Sequence, residues 1–237
     1  MRRALLICAL LLPAFPAAAD AASVRLVECA PALDAEDRSA TFEARMRAVH
    51  GSERMQLRFT LQVSEGVLPG WRRVVAPGLD QWLTSDPAVS RYSYSKTVVN
   101  LSAPAEYRTV VRFRWLDAAG ETLKRSRVTS RACRQPDMRP DLAATRIEPA
   151  PGGGYTVALR NAGRTDAGPF TVVLSVRGEP AEPLELAGLE AGEERVVTLA
   201  AGPPCEPGDP LAVTVDAADA VDERDEADNA LATACLP

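Results

Sequence analysis

The most constraining feature of this sequence is the segment from Leu211 to Cys235, in which two short apolar stretches flank an acidic connection. Its first residues, LAVTVD, alternate apolar with smaller or polar side chains, which is typical of a half-buried β-strand. Ala230 to Leu236 then predicts a second short strand, with Cys235 near its end. Two strands joined by an acidic loop are typical of the tail of a β-sandwich, so the segment favours an all-β fold.

The rest of the chain shows the same short strands and frequent turns. Its 19 prolines and 15 glycines suit many short strands better than long helices, and 237 residues give room for one large or two ordinary domains. We predict an all-β chain of two tandem immunoglobulin-like β-sandwich domains after a signal peptide. The predicted segments are a signal peptide at 1–19, a first β-sandwich at 23–134, a linker at 135–140 and a second β-sandwich at 141–237.

Seven short strands are predicted in each half. Met55 to Val63 is the clearest, because apolar and polar side chains alternate without a break. The predicted strands of the first half are Val24–Glu28, Thr41–Val49, Met55–Val63, Gly70–Val75, Tyr92–Leu101, Tyr107–Leu116 and Glu121–Cys133, with a loop and one helical turn between Pro77 and Pro87. Those of the second half are Leu142–Ile147, Tyr155–Asn161, Phe170–Arg177, Leu184–Leu186, Arg195–Ala200, Leu211–Asp216 and Ala230–Leu236.

Met1 to Ala19 predicts a secretory signal peptide, with a positive start, a short apolar run and a small-residue cleavage site. Cleavage after Ala19 is preferred, and cleavage after Ala21 or Ala22 is the alternative. The apolar run is too short for a permanent membrane helix, and no later run is long enough to span a bilayer. We therefore expect an exported protein, extracellular or in the cell envelope, without a membrane span.

Four cysteines lie beyond the predicted signal peptide: Cys29, Cys133, Cys205 and Cys235. An even number in an exported chain predicts two disulfides, for which three connectivities exist. Each half supplies two cysteines, so Cys29–Cys133 and Cys205–Cys235 is the economical pairing. A zinc site is the disfavoured alternative, because the sequence has no Cys-x-x-Cys pair and its single histidine is His50.

A tyrosine motif in the first half, Leu101-Ser102-Ala103-Pro104-Ala105-Glu106-Tyr107, resembles the tyrosine corner of fibronectin type III and immunoglobulin-like domains. In that corner the tyrosine hydroxyl bonds back to the chain upstream. The proline here lies one place later than in the usual fibronectin pattern. The first half therefore resembles an immunoglobulin- or fibronectin type III-like sandwich.

The second half resembles CARDB, the immunoglobulin-like cell-adhesion-related domain found in bacteria. The matching residues are Pro140-Asp141-Leu142, Val157 to Gly163, Phe170 to Leu174, Leu189 to Glu193, Val215-Asp216, Val221 to Glu223 and Glu226 to Asn229. Members typically end the acidic motif with two asparagines, where this chain has Asp228-Asn229. The resemblance implies a seven-stranded sandwich on an exported protein, acting in adhesion or as an accessory module. It implies no particular ligand.

Catalytic signatures are missing from the sequence. Neither Gly-x-Ser-x-Gly nor His-Glu-x-x-His occurs, and His50 falls in a predicted turn. Paired-carboxylate catalysis needs one acid in an apolar pocket, which a surface loop does not provide. We expect a non-enzymatic protein.

The acidic connection offers many hard oxygen donors, which suit calcium. Its spacing is not that of an EF-hand, so the sequence predicts no cofactor beyond weak calcium binding. The alternative, which we favour, is a structural turn whose side chains cap backbone donors. The candidate metal ligands are Asp216, Asp219, Asp222, Glu223, Asp225, Glu226, Asp228 and Asn229.

Charge divides unequally between the halves. Residues 20–135 hold 18 basic and 13 acidic side chains, a net charge of +5, and residues 136–237 hold 7 and 19, a net charge of −12. Arg108, Arg112 and Arg114 fall on one face of a predicted strand, with Arg125, Arg127 and Arg131 expected beside them. We expect no aromatic side chains between these arginines, and export argues against a nucleic-acid partner. The expected partner is an anionic cell-surface polymer or another exported protein, and the alternative is a solvated face without a partner.

Aromatic side chains between Gly70 and Tyr94 are the second candidate binding group. Trp71, Trp82, Tyr92 and Tyr94 fall in or beside this segment, away from the regular strands. Aromatic side chains on loops at one end of a sandwich form a binding surface, and the alternative is that these four close an end of the core. The sequence therefore predicts an exported bacterial binding or adhesion protein. An accessory, substrate-docking subunit of an extracellular hydrolase and a structural spacer are the alternatives.

Overall fold

The computed structural model describes residues 21–66, 70–151, 153–200 and 205–235. Their strands pair antiparallel into four sheets, which form two β-sandwiches in tandem. The predicted all-β fold is confirmed, whereas the predicted signal peptide lies outside the described residues. Among the described residues, no helix is long and apolar enough to cross a membrane.

The first sandwich contains nine strands in the described part of the chain. They are β1 (Ala22–Ala30), β2 (Ser39–Arg47), β3 (Arg54–Ser64), β4 (Arg72–Arg73), β5 (Leu83–Thr84), β6 (Arg91–Val99), β7 (Ala105–Leu116), β8 (Thr122–Thr129) and β9 (Cys133–Gln135). One sheet has the order β1-β2-β6. The other has the order β4-β3-β7-β8, with β5 also pairing β3 and β9 also pairing β7.

The second sandwich repeats this arrangement. Its strands are β10 (Leu142–Pro149), β11 (Tyr155–Asn161), β12 (Phe170–Val176), β13 (Glu179–Pro180), β14 (Leu184–Leu186), β15 (Glu194–Leu199), β16 (Pro210–Val215) and β17 (Ala230–Ala234). The sheet β10-β11-β15 corresponds to β1-β2-β6, and β12-β16-β17 corresponds to β3-β7-β8. In both sandwiches the two sheets divide the strands in the Greek-key manner of immunoglobulin-like domains.

Each sandwich has its own hydrophobic core, because the alternating pattern directs one face of every long strand inward. In β3 all five inward side chains are buried, from Met55 to Val63. Trp115 of β7 is fully buried, and its indole Nε1 donates a 2.7 Å hydrogen bond to the Arg47 carbonyl of β2. This bond joins the two sheets and satisfies the one polar atom of the ring.

The tyrosine corner expected from the sequence is present. The Tyr107 hydroxyl accepts a hydrogen bond from the Ser102 backbone N–H at 2.8 Å and lies 3.3 Å from the Ser102 carbonyl. The shifted proline therefore does not prevent the bond, and Tyr107 itself is buried at the edge of the core.

Several predicted boundaries differ from the structure. The expected helical turn before Pro87 is instead β5, which pairs with Gln56 and Leu57 of β3. The last predicted strand of the first half is divided into β8 and β9, so Arg131 lies outside both strands. Gln135, predicted as the first linker residue, pairs with Ala105 in the sheet.

The structure pairs Cys29 with Cys133 and Cys205 with Cys235, with Cα–Cα distances of 5.4 and 6.0 Å. The first bond joins β1 to β9, the first and last strands of the first sandwich. The second joins the segment before β16 to the residue that follows β17. Each disulfide therefore joins two segments of the same sandwich.

Candidate functional site: an arginine face on the first sandwich

The outer face of the sheet β3-β7-β8 carries five arginines, which the strand register places next to one another. Arg112 of β7 lies opposite Arg58 of β3 on one side and opposite Arg127 of β8 on the other. Arg114 lies opposite Arg125, one row further along. We call Arg58, Arg112, Arg114, Arg125 and Arg127 the arginine grid. Side chains directly opposite in an antiparallel pair share one face at about 5 Å, so the grid brings five like charges together.

Like charges in this register are unfavourable. Two unit charges about 5 Å apart in water repel by roughly 0.8 kcal/mol before screening by salt. Among the described residues, no member of the grid forms an ion pair with a carboxylate. Burial lowers the pKa of Arg114 below the usual arginine value, and the charges of Arg58 and Arg125 lower it further. The grid is therefore a concentration of positive charge without a direct ion pair to a carboxylate within the described residues.

Two tryptophans lie on this face and stack on arginines. The Trp82 ring centroid is 3.4 Å from the guanidinium carbon of Arg114 and 4.8 Å from that of Arg58. The Trp71 ring centroid is 4.0 Å from the guanidinium carbon of Arg108. Trp82 immediately precedes β5, whose pairing with β3 brings the ring over the sheet. The expectation that aromatic side chains are absent from the arginine face is therefore wrong.

Arg108 forms a second part of the basic face, two rows from the centre of the grid. Its Nε donates a 2.9 Å hydrogen bond to the Gln62 side chain of β3. Between Arg108 and the grid lies Asp80, which accepts hydrogen bonds from Thr60 and Arg73. Burial raises the pKa of Asp80, but these bonds outweigh it, so the net pKa is lowered and the carboxylate stays ionised. Asp80 forms its direct ion pair with Arg73, and its charge also interacts with that of Arg58, at the edge of the grid.

A shallow pocket of about 460 Å³ opens at the centre of the grid. Its walls are Arg112, Arg114, Arg125, Arg127 and Trp82, with Phe113 and Ser126 contributing to the floor. Four arginines thus line one open space on the sheet. Guanidinium groups donate charge-assisted hydrogen bonds to anions, so this space has the chemistry of an anion site.

The two candidate tyrosines lie elsewhere. Tyr92 and Tyr94 belong to β6, in the opposite sheet, and not to a loop. Tyr92 packs against the first core, and the Tyr94 ring lies 6.2 Å from that of buried Phe59. The four aromatic residues therefore do not form one surface. The tryptophans lie on the arginine face, and the tyrosines cover the margin of the core.

The acidic connection of the second sandwich, which joins β16 to β17, is held by hydrogen bonds of its own side chains. Asp216 accepts from the backbone N–H groups of Ala220 and Val221 at 3.1 and 2.8 Å. Asp225 accepts from Ala227, and Glu226 accepts from Glu223. These bonds are those of a structural turn whose side chains cap backbone donors. In the described part of the chain, no group of three or more histidine, cysteine or acidic side chains is arranged to hold a metal ion.

The acidic connection also contacts the end of the predicted linker and the start of the second sandwich. Asp222 pairs with Arg139 at 2.7 Å, and Arg224 pairs with the buried Asp141. Glu223, fully buried, accepts a hydrogen bond from the Leu142 backbone N–H. Burial raises the pKa of Glu223 to about 7, because the charged form loses its hydration.

The motif residues that resemble CARDB meet at this same end of the second sandwich. Buried Asn161 accepts from the backbone N–H groups of Asp141 and Gly163, and its amide donates to the carbonyls of Thr165 and Leu189. A Cβ on Gly163 would lie 2.5 Å from the Cα of Pro140, so only glycine permits this close approach. The motif therefore explains packing at the linker end.

Three grid arginines were not among the primary sequence candidates. Arg125 and Arg127 were expected only as neighbours of Arg108, Arg112 and Arg114, and Arg58 was assigned merely to the polar face of its strand. The signal that identifies all three is strand register, which follows from pairing and not from any local motif.

The fold is that of an immunoglobulin-like β-sandwich protein, and residues 135–233 match the CARDB family. A search of curated proteins gives no match. Among solved structures, a domain of a putative cell surface protein from Methanosarcina acetivorans is 26% identical, covering 40% of this chain and 90% of that chain, with a TM-score of 0.37.

Two further solved structures resemble larger parts of the chain. The class 5 fimbriae chaperone CfaA is 10% identical over 91% of this chain and 100% of its own, with a TM-score of 0.28. The FN1–FN3 domains of chicken CNTN1 are 16% identical over 81% of this chain and 58% of that chain, with a TM-score of 0.30. These TM-scores, like that of the cell surface domain, are too low to support an argument about function.

Proposed function

We propose that this protein is an exported, non-enzymatic binding protein of the cell surface or extracellular space, whose first sandwich binds an anionic polymer. The observation that carries this proposal is the arginine grid, whose members form no direct ion pair among the described residues. Five like charges in cross-strand register are unfavourable for the isolated sandwich. A polyanion that neutralises them gains electrostatic free energy from the same arrangement.

The second sandwich is proposed as a stalk or docking module. Its net charge is opposite in sign, so it repels an anionic polymer. Its motif residues pack the linker end, and the acidic connection is engaged in capping and in ion pairs with Arg139 and Arg224. The alternative is an accessory subunit of an extracellular hydrolase. In that role the first sandwich docks the substrate and the second sandwich is again the stalk.

The test is retention of the full mature chain on bacterial cell-envelope preparations at low and high salt. Exposed charges are screened over about 8 Å at physiological ionic strength, so retention should fall as salt rises. Changing Arg112 and Arg114 to Gln should weaken retention by about tenfold or more, since each lost charged hydrogen bond is worth roughly 1.5 kcal/mol. Changing Arg146 and Arg160 to Gln removes two exposed arginines from the second sandwich and is the matched control.

Two outcomes contradict the proposal. If the unaltered chain is not retained at any salt concentration, the structural spacer is the better interpretation. If the control variant loses retention and the grid variant keeps it, the second sandwich makes the contact and the roles are reversed.

A further inference from the structure

We infer that the pocket of the arginine grid binds phosphate groups carried by an envelope polymer. This inference rests on the proposed function and specifies the chemistry of the ligand. The pocket lies between β7 and β8 and is walled by the cross-strand pairs Arg112–Arg127 and Arg114–Arg125.

The backbone positions of the four arginines in these two pairs form a rectangle. Neighbouring strands are about 4.8 Å apart, and alternate residues on one strand are about 6.8 Å apart. A phosphodiester has two unesterified oxygens and one negative charge, as a carboxylate has, but its oxygens are arranged tetrahedrally around phosphorus, whereas the two carboxylate oxygens lie in one plane with their carbon. A terminal phosphate adds a third unesterified oxygen and more negative charge. Both arginines of a cross-strand pair can therefore approach one phosphate from different directions, whereas a single arginine fork matches the plane of a carboxylate.

Trp82 positions one corner of the rectangle. Its ring lies 3.4 Å from the guanidinium carbon of Arg114 and 4.8 Å from that of Arg58. Stacking restricts the long arginine side chains before a ligand arrives, so less conformational entropy is lost on binding. Because guanidinium groups already stack on this ring, recognition is assigned to the arginines and not to stacking of a sugar on Trp82.

The acidic second sandwich of another copy is the other polyanion that charge alone suggests. Its acidic connection is a poor match, because several carboxylates there are already engaged. Asp222 pairs with Arg139, Asp225 accepts from Ala227, and Glu226 accepts from Glu223. A phosphate-bearing polymer has no such competing partners, so it is the occupant that the observations favour.

The experiment measures binding of the full mature chain by isothermal titration calorimetry at fixed ionic strength. The probes are inorganic phosphate, long-chain polyphosphate, acetate and the polyuronate alginate. We expect polyphosphate to bind at least about tenfold more tightly than alginate at equal charge, and inorganic phosphate more tightly than acetate. Polyphosphate should also exceed inorganic phosphate, because a polymer engages both arginine pairs together.

Matched variants separate the pocket from general charge. Arg112→Gln with Arg127→Gln removes one cross-strand pair and should weaken polyphosphate binding by about tenfold or more. Arg47→Gln with Arg91→Gln removes a cross-strand arginine pair from the opposite sheet, so it should change binding by less than about twofold. Arg112→Lys with Arg127→Lys keeps the charge but loses the planar fork, and should give an intermediate loss. Circular dichroism and thermal melts verify that each variant is folded.

The outcomes distinguish this inference from the proposed function. Alginate binding as tight as polyphosphate binding, or equal losses in the grid and control variants, overturns the phosphate assignment.

Envelope material stripped of phosphodiesters with hydrofluoric acid gives an independent readout. Retention that survives stripping refutes phosphate recognition but leaves an anionic-polymer function in place. Specific polyphosphate binding by a chain that untreated envelope does not retain supports the pocket and contradicts the proposed function.

Discussion

The guanidinium carbon of Arg114 lies 3.4 Å from the ring centroid of Trp82, at the edge of the arginine pocket. The same ring contacts Arg58 from the neighbouring strand, at 4.8 Å. One tryptophan thus touches two of the five like charges of the grid. Attraction between a cation and a ring face reduces the cost of holding those charges close together.

Changing Trp82 to Ala should lower the free energy of unfolding of the first sandwich by about 1 to 2 kcal/mol, through lost stacking and lost contact area. A double-mutant cycle between Trp82 and Arg114, measured by urea unfolding, should give a coupling of about 0.5 to 1 kcal/mol. The control cycle pairs Trp82 with Arg131, which lies outside the strands of this sheet. Equal coupling in both cycles would contradict a specific stacking interaction.

Tyr107→Phe should destabilise the first sandwich by about 1 kcal/mol, because the Ser102 backbone N–H loses its hydroxyl acceptor. Tyr92→Phe is the matched control, since no hydrogen bond of the Tyr92 hydroxyl is seen within the described residues. Chemical denaturation of both variants measures the difference. If the two variants are equally stable, the tyrosine corner contributes nothing to stability in this domain.

Local sequence patterns predicted most of the fold. The alternation in β3, β7 and β16 fixes which side chains face the core. The motif ending at Tyr107 identified a corner whose hydrogen bond joins two residues only five positions apart in the sequence. Short strands such as β5 were missed, because two residues carry no periodicity and form only by pairing with β3. Gln135 was assigned to the linker for a similar reason, since its partner Ala105 is distant in sequence.

The candidate site was only partly predictable. The arginines of β7 share a parity that is visible in the sequence, but their neighbours on β3 and β8 depend on register between strands. The predicted positions of the tryptophans were wrong. The residues around Trp82 lie over the face of the sheet, and they do not extend from the end of the sandwich. The hydrogen bonds of the acidic connection were also not predictable in detail from the sequence. Which carboxylates accept from backbone N–H groups depends on the folded path of the chain.

Non-reducing peptide mapping of the mature protein should identify Cys29–Cys133 and Cys205–Cys235. These bonds close sequence separations of 104 and 30 residues. In the chain-entropy treatment such closures stabilise by about 5 and about 4 kcal/mol, so reduction should lower the melting temperatures of both sandwiches. Peptides linked between the two halves, or free thiols at these positions, would contradict the pairing.

Thermal melts in calcium and in chelator should differ little. The capping bonds of Asp216 and Asp225 already engage the oxygens that a calcium ion would need, so a bound ion must replace existing hydrogen bonds. Melting followed by circular dichroism gives the comparison, with magnesium as the control ion. A large rise in the melting temperature at micromolar calcium would show that the acidic connection rearranges into a dedicated site.

The stability of the second sandwich should fall as the pH rises from about 4.5 to about 7, because of Glu223. Burial raises the pKa of this carboxyl from an ordinary value of 4.5 to about 7, so the folded protein binds a proton that the unfolded chain releases within this interval. Protonated Glu223 makes its full favourable contribution to the free energy of unfolding below the unfolded pKa of 4.5. That contribution is lost as the pH rises through the folded pKa of about 7. A shift of this size corresponds to about 3 kcal/mol.

Glu223→Gln should remove this dependence, because a neutral amide does not titrate and still offers an oxygen to the Leu142 N–H. The amide of Asn229, which donates to Glu223 at 3.0 Å, has a buried oxygen without a partner in the described residues and can turn to accept from the new glutamine. Urea unfolding between pH 5 and pH 8 should therefore give a flatter profile for this variant than for the unaltered chain. Glu185→Gln, an exposed change in the same sandwich, should keep the original slope. Parallel profiles for the unaltered chain and Glu223→Gln would show that Glu223 is ionised throughout this range, and that the hydrogen bonds from Leu142 and Asn229 compensate fully for its burial.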